Sequence, residues 1–257
     1  MSELPTLLAP GEPDPVRLLN PEGQSAFVLI ADHAGREIPR SLARLGVPES
    51  ELLRHIAWDI GIAGVTERLA DTLDAVAVLQ RYSRLVIDCN RDPASPTSIP
   101  EISEHTPIPG NTGLKPAQRQ ARVDAVFRPY HDHIARLLDA RAASGRRTVL
   151  IAMHSFTPVF KGQTRGMHVG VLYHHEQRLA HIMLELLRAE GDLVVGDNAP
   201  YAITDTSDYA VPVHGEARGL PLVELEIRQD LIAEPGGQAA WAARLARLLP
   251  EAAKRLG

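Results

Sequence analysis

Apolar residues recur in short runs along the chain, and most runs are bounded by glycine, proline or polar residues. Short apolar runs predict buried strands, whereas apolar positions spaced three or four apart predict helices. We therefore expect strands at residues 26–32, 75–80, 85–88, 148–153, 166–173, 192–195 and 221–228, and helices at 61–73, 117–144, 177–190 and 237–256. This alternation predicts an α/β fold, with a mostly parallel mixed sheet flanked by helices on both faces.

Two stretches lack this periodicity. Residues 1–24 hold five prolines and predict an N-terminal arm, followed by a single domain at 25–257. Residues 92–116 hold six prolines and two glycines, which predict a long loop. Loops of this length inside compact domains are usually functional or disordered. Because this one begins directly after Asn90 and Arg91, we expect it to lie over a functional site.

Composition narrows the class of protein. The 257 residues are 44% hydrophobic and 23% charged, with a formal net charge of −5, which is typical of a globular protein. The acidic balance and the absence of a basic tract argue against a nucleic-acid partner. The apolar runs are too short to cross a membrane, and the N-terminus does not resemble a signal peptide. We therefore expect a cytoplasmic location, while the oligomeric state is unknown from the sequence.

Cys89 is the single cysteine, so no internal disulfide forms, which fits a reducing compartment. A cysteine beside Asn90 is a candidate nucleophile. The interpretation we favour is a small buried residue at a strand end, because free cysteines are among the most buried residue types.

Two histidines occupy matching positions near the ends of predicted strands. His33 follows the strand at 26–32, and His154 follows the strand at 148–153. In open α/β sheets, ligands bind at the carboxyl ends of the strands. Two neutral imidazoles, one carboxylate and an open fourth position form a catalytic zinc site. The carboxylate is Asp59 or Glu37, and Asp59 has a second interpretation as a helix N-cap.

A second set of polar residues lies on the predicted strand 221–228. Side chains alternate between the faces of a strand, so Glu224, Glu226 and Arg228 share one face. Such groups in an interior strand are costly unless they are paired or belong to a site. Glu226 suits a general base that takes a proton from a metal-activated water. The alternative is a structural pair of a glutamate with an arginine.

Several basic and amide side chains suit a substrate that carries a carboxylate. A guanidinium group binds a carboxylate through two parallel hydrogen bonds. The substrate-binding residues that we predict are Arg84, Asn90, Arg91 and Arg228.

Six motifs in fixed order resemble the N-formylglutamate amidohydrolase family over residues 25–235. They are DHAGR at 32–36, WDIG at 58–61, RYSRLVIDCNR at 81–91, HS at 154–155, DNAPY at 197–201 and EIRQDL at 226–231. The resemblance implies a phosphorylase/hydrolase-like fold related to zinc carboxypeptidases and aspartoacylases. It also implies that His33 and His154 bind zinc, that Asn90 and Arg91 hold a substrate carboxylate, and that Glu226 is the catalytic acid and base.

One position departs from the wider superfamily. Those enzymes take a ligand from a glutamate three residues after the first histidine, and this chain has Arg36 there. The third ligand must come from elsewhere, and Asp59 fits better than Glu37. We therefore expect one Zn²⁺ per chain, held by His33, Asp59 and His154.

These observations predict a zinc-dependent amidohydrolase that cleaves N-formyl-L-glutamate or a similar N-acyl amino acid. The expected partner is a small amide substrate that bears a carboxylate. Two alternatives stay open: a metallohydrolase of another amide or peptide, and a non-catalytic binding module on the same scaffold. Motifs of dinucleotide enzymes, P-loop NTPases and serine hydrolases are missing from the sequence.

Overall fold

The computed structural model describes residues 7–204 and 208–257. The first six residues of the predicted arm lie outside this range. Within it the strands are β1 Val16–Leu19, β2 Phe27–Ala31, β3 Val76–Gln80, β4 Ile102–Ser103, β5 Thr106–Pro107, β6 Val149–Phe156, β7 Val159–Phe160, β8 Gln163–Thr164, β9 Val169–Leu172, β10 Val195–Asp197 and β11 Leu222–Arg228.

The helices of the described residues are α1 Glu49–Leu52, α2 Ile62–Leu73, α3 Pro116–Arg122, α4 Arg128–Ala143, α5 Arg178–Ala189 and α6 Pro235–Arg255. A π-helical turn at Val123–Phe127 joins α3 to α4, so the long helix predicted at 117–144 is close to continuous. A second π-helical turn at Val211–Gly215 and a 3₁₀ turn at Glu216–Arg218 precede β11.

Seven strands form the main sheet in the order β1-β3-β2-β6-β11-β9-β10. The central strands β3, β2, β6 and β11 run parallel to one another. β1 and β9 are antiparallel to their neighbours β3 and β11. The central strands are buried on both faces, which explains their nearly continuous apolar sequences.

A separate hydrophobic core covers each face of the sheet. On one face, α2, α5 and α6 pack against side chains such as Leu29, Ile151 and Leu225. On the other face, α4, the segment between β2 and α2 and the turns after β3 pack against residues such as Ile30 and Leu150. The predicted class, a mostly parallel mixed sheet between helices, is therefore confirmed.

The strand predicted at residues 85–88 is wrong, because this segment forms turns. The Ser83 hydroxyl accepts a hydrogen bond from the Leu85 amide at 3.1 Å, and the Ser83 carbonyl accepts one from Val86 at 2.9 Å. Leu85 and Val86 are fully buried in the second core. The apolar run therefore reflects burial of a turn rather than a place in the sheet.

The N-terminal segment contains a strand that the sequence did not predict. Residues 16–19, inside the predicted arm, form β1 and pair with β3 along its whole length, from Val16 opposite Gln80 to Leu19 opposite Ala77. Only one of its four residues is exposed. The final strand before α6 and the helices at 177–190 and 237–256 lie close to their predicted positions.

Candidate active site

The two predicted histidines meet because β2 and β6 are neighbouring parallel strands. Ile30 lies opposite Ala152 in their register, so His33 and His154 reach the same edge of the sheet. Both side chains are buried, and their ring centroids are 5.0 Å apart. After His33 the chain passes close to the backbone of Arg81. Only glycine fits at position 35, since a Cβ there would lie 1.9 Å from the Arg81 carbonyl oxygen.

Asp59 places its carboxylate between the two histidines. Its Oδ2 atom lies 3.1 Å from Nδ1 of His154 and 3.6 Å from Nδ1 of His33. The Ser155 amide donates a hydrogen bond to the same oxygen at 3.1 Å. The cap interpretation fails, because α2 has its N-cap at Gly61 without a side-chain cap bond. Asp59 instead aims its side chain at the histidines.

Each histidine has a buried acid on the side facing away from Asp59. Oδ1 of Asp88 lies 2.7 Å from Nε2 of His33. Oδ2 of Asp32 lies 3.8 Å from Nε2 of His154, and the Tyr130 hydroxyl donates to the other Asp32 oxygen at 2.7 Å. In metal centres, such acids orient the imidazole ligands and raise their basicity.

The cluster fits a divalent metal ion. In a tetrahedral site with ligand bonds of about 2.0–2.1 Å, two ligand atoms lie about 3.3–3.4 Å apart. The separations of 3.1 and 3.6 Å between the Asp59 oxygen and the two imidazole nitrogens bracket that value. Nδ1 of His33 is buried without a hydrogen-bond partner among the described residues. An orphaned nitrogen beside a carboxylate and a second imidazole is what a metal ligand requires.

Arg84 holds two of the acids together. Its guanidinium donates to Oδ2 of Asp88 at 2.9 Å and to Oδ1 of Asp59 at 3.4 Å. Burial alone would raise the pKa of Asp88, but the charges of Arg84 and His33 outweigh it and hold this pKa well below its usual range. The pKa of Asp59 is lowered in the same way, with His33 and His154 opposing the effect of burial. Both carboxyl groups are therefore ionised in the folded protein.

Glu226 faces the same site from β11, where its backbone is the register partner of His154. Its side chain is buried, and Oε2 has no hydrogen-bond partner in the described part of the chain. Burial raises the pKa of Glu226 to about 7, although the neighbouring His154 opposes the shift. Glu224, two residues earlier, has a pKa raised well above its usual value for the same reason. A carboxyl group with a pKa near 7 can accept and return a proton at neutral pH.

The cluster opens into a cleft with a volume of about 540 Å³. The loop predicted to lie over the site supplies part of its wall through Thr97, Pro100 and the β4–β5 hairpin. Glu104 of that hairpin contacts Arg54, and its Oε2 lies 3.5 Å from Nε2 of His55. His55 also lines the cleft, and no sequence pattern indicated a role for it.

Arg91 and Asn90 both line the cleft, but they differ in how their side chains are used. Arg91 donates one hydrogen bond to the Asn90 carbonyl at 3.0 Å and forms no ion pair with any residue the structure describes. The Asn90 amide, in contrast, donates to Asp208 at 2.8 Å and accepts from the Tyr209 and Ala210 amides at 2.9 and 3.1 Å. The side chain of Asn90 therefore holds the segment before the second π-helical turn at the wall of the cleft.

Arg228, predicted to bind substrate, is not brought into the cleft. Its guanidinium pairs with Asp230 at 2.7 Å and donates to the Met167 carbonyl at 3.3 Å. It is the last residue of β11, so its side chain extends past the position where Glu226 meets the cluster. The shared face was predicted correctly for Glu224 and Glu226, which both line the cleft.

Two alternatives from the sequence lie outside the cluster. Glu37 pairs through its backbone with Arg81 and Ser83 and lines a separate surface depression.

Cys89 is fully buried, and its Sγ accepts a hydrogen bond from Gln80 at 3.3 Å. Burial raises the pKa of the Cys89 thiol well above its usual value. The buried-filler interpretation of Cys89 therefore holds, since a neutral thiol is a poor nucleophile.

The fold and the site together define an α/β protein with a buried histidine–carboxylate cluster, a candidate metal centre, at the carboxyl edge of its sheet. Comparison with known proteins identifies the family. The sequence profile of the N-formylglutamate amidohydrolase family matches residues 25–233, and the chain belongs to this family. It is accordingly a hydrolase that acts on amides, and its substrate is a small-molecule amide.

Solved structures support the fold. The gene product Atu2144 from Agrobacterium tumefaciens is 39% identical, with a TM-score of 0.94 over 97% of this chain and 99% of that chain. N-formylglutamate amidohydrolase from Ralstonia eutropha JMP134 is 21% identical, with a TM-score of 0.66 over 93% of this chain and 97% of that chain. The search of curated proteins gave no match. Among the described residues, no helix is long and apolar enough to span a membrane.

Proposed function

We propose that this chain is a zinc-dependent amidohydrolase that cleaves N-formyl-L-glutamate, or a similar N-acyl amino acid, to the free amino acid and formate or another carboxylate. The observation that carries the proposal is the buried group of His33, Asp59 and His154 in one cleft with Glu226. The family supports the reaction class, and its name supports the substrate.

His33, Asp59 and His154 would hold the metal ion. Two imidazoles and one carboxylate with an open position suit zinc in catalytic sites. When bound, Zn²⁺ supplies a Lewis acid that polarises the amide carbonyl and makes a water molecule more acidic. Asp88 would orient the ring of His33 through its 2.7 Å contact, and Asp32 would place a carboxylate 3.8 Å from the ring nitrogen of His154 that faces away from Asp59.

Glu226 would move the proton. As a carboxylate, it would take a proton from the water that attacks the amide carbonyl carbon. It would then give that proton to the amide nitrogen as the carbon–nitrogen bond breaks, which releases the free amine. A pKa of about 7, raised by burial, suits both halves of this exchange near neutral pH.

Arg91 would bind a carboxylate of the substrate. Its guanidinium lines the cleft and is not paired with a carboxylate of any described residue. Arg84, which also lines the cleft, adds positive charge but is already shared between Asp59 and Asp88. Asn90 would act indirectly, by holding the segment that carries Asp208 against the cleft.

The test joins metal content to product release. Purified protein would be assayed for zinc before and after chelation, and for formate released from N-formyl-L-glutamate. About one zinc at the His33 cluster with chelator-sensitive formate release is the expected result. Zinc with release of acetate from N-acetylglutamate, but no formate, would keep the amidohydrolase and replace the substrate. Absence of zinc uptake by the cluster after reconstitution would contradict the proposed metal site and favour a binding module.

A further inference from the structure

A second group of metal-binding residue types lies away from the cleft. β9 runs antiparallel to β11, with Leu172 opposite Glu224. The residues that follow β9 therefore approach the amino-terminal end of β11, whereas Glu226 and the catalytic cluster lie toward the other end. His174 and His175 follow this strand after one intervening residue, Tyr173, and meet Glu216 of the 3₁₀ turn before β11.

The geometry of this group is well defined. One donor atom from each of His174, His175 and Glu216 lies within 4.8 Å of the others. Oε1 of Glu216 accepts hydrogen bonds from the His175 and Glu176 amides at 2.6 and 2.9 Å. These bonds fix the carboxylate so that Oε2 lies 3.2 Å from Nδ1 of His174. Two ligand atoms of a tetrahedral zinc site are separated by about the same distance, ~3.3–3.4 Å.

The group contains a second imidazole, that of His175, in addition to the hydrogen-bonded pair of His174 and Glu216. The ring of His175 lies 3.7 Å from the ring of His174, centroid to centroid, at an angle of 44°. His174 and Glu216 are half-buried while His175 is exposed, so an ion can enter from solvent. Imidazole and carboxylate donors together suit zinc, nickel and copper.

The nearby cationic side chains are each paired with another acid. Arg178 pairs with Glu176 at 2.8 Å, and Arg218 pairs with Asp139 at 3.1 Å. Neither guanidinium forms its ion pair with Glu216. Oε2 of Glu216 therefore faces the imidazole of His174, while Oε1 is held by the two backbone amides.

We propose that His174, His175 and Glu216 form a second divalent-metal site, which takes an ion of the zinc class and is independent of the proposed catalytic cluster. Glu216 follows directly after the π-helical turn at Val211–Gly215. A bound ion would fasten this part of the chain to the turn after β9. Its role is structural, because His174, His175 and Glu216 are not among the residues that line the cleft.

The experiment counts zinc ions bound by the full chain and its variants. Chelator-treated protein would be titrated with Zn²⁺ in a calorimeter, and the bound metal would be counted after gel filtration. Wild type should bind one equivalent more than His175→Ala and one more than Glu216→Gln. His105→Ala, which removes an exposed histidine outside the group, should bind as much as wild type.

The His154→Ala background separates this site from the catalytic cluster. In that background one equivalent should persist and raise the melting temperature, and adding His175→Ala should abolish both effects. Since His175 is exposed, its replacement preserves the fold, which circular dichroism would verify. Equal zinc stoichiometry in wild type, His175→Ala and Glu216→Gln would overturn the proposal. Zinc uptake by His154→Ala that persists after adding His175→Ala would overturn it as well.

Discussion

Nε2 of His33 lies 2.7 Å from Oδ1 of Asp88, and this contact presents the opposite ring nitrogen, Nδ1, to Asp59. Asp88 is itself fixed by Arg84 and by the backbone amide of Asn90, which donates to Oδ1 of Asp88 at 2.9 Å. The motif at 81–91 therefore supplies the support for a histidine some fifty residues earlier in the chain. Within this motif, Arg84 and Asp88 act on the orientation of His33, whereas Arg91 lines the cleft.

Replacing Asp88 by asparagine should weaken metal binding without removing a ligand. Loss of an acid behind a ligating histidine typically lowers metal affinity about 10–100-fold. Zinc affinity of Asp88→Asn, measured by competition with a chromophoric chelator, should fall by that factor. Asp71→Asn makes the same change at an exposed position of α2 and should bind zinc as wild type does. An unchanged affinity in Asp88→Asn would remove the positioning role.

The choice between Asp59 and Glu37 can be decided by two matched variants. Asp59→Asn should lose most of the bound zinc, since it removes the charged oxygen that lies between the two imidazoles. Glu37→Gln should keep the zinc content of wild type, because Glu37 lines a different depression. Metal counting by mass spectrometry on both purified proteins provides the measurement. The opposite pattern would make Glu37 the third ligand.

Glu226→Gln should separate proton transfer from metal binding. The amide cannot take a proton from water, so kcat should fall by about 10²–10⁴-fold. Zinc content should stay at the wild-type level, because Glu226 is not a member of the His33, Asp59 and His154 group. Glu185→Gln, at an exposed position on α5, is the control for the substitution itself. Normal turnover of Glu226→Gln would end the role proposed for it.

The sequence predicted most of the sheet because its central strands are buried on both faces and therefore read as apolar runs. The same property misled the interpretation of 85–88, where Leu85 and Val86 are as buried as any strand residue but form a turn. Hydrophobicity reports burial, and only backbone pairing distinguishes a strand from a buried turn. β1 was missed because an edge strand of four residues carries little of this signal.

Site residues were predictable from the sequence only where a residue type that suits metal binding also lay at the end of a predicted strand. His33 and His154 met both conditions, and parallel pairing of β2 with β6 brings them together. The roles of Asp88 and Asp32 depend on which nitrogen of each imidazole faces them, and periodicity carries no such information. Arg228 shares the face of Glu226, but it lies two residues further along β11. There its guanidinium pairs with Asp230, away from the cleft.

Arg91 and Arg228 form a matched pair for testing the substrate grip. Arg91→Gln should raise KM for N-formyl-L-glutamate by about 10-fold or more, since a charge-assisted contact to the substrate carboxylate is worth ~1.5–3 kcal/mol. Arg228→Gln should leave KM near that of wild type, because its guanidinium pairs with Asp230 outside the cleft. Steady-state formate release gives both values. A larger KM increase in Arg228→Gln than in Arg91→Gln would reverse the assignment.

The pair of His131 and His214 should make a contribution to stability that is lost as the pH drops below about 6.5, because both buried histidines resist protonation in the fold. Nδ1 of His131 lies 2.8 Å from Nε2 of His214, and Nε2 of His131 donates to the Cys89 carbonyl at 2.8 Å. Burial, and then the charge of His214, lowers the pKa of His131 to about 3. Burial, and then Arg218, lowers the pKa of His214 to about 4.

The sign of the effect follows from proton uptake on unfolding. Between pH 6.5 and about 4, the unfolded chain binds protons at both histidines and the folded chain does not, so the contribution of this pair to the free energy of unfolding decreases as the pH falls. Each histidine contributes a slope of about 1.4 kcal/mol per pH unit in this window. Urea unfolding at pH 7.5, 6 and 5 would measure it. His214→Asn removes one titrating group and should give a shallower fall than wild type; equal slopes in the two proteins would show that the pair does not govern the pH dependence.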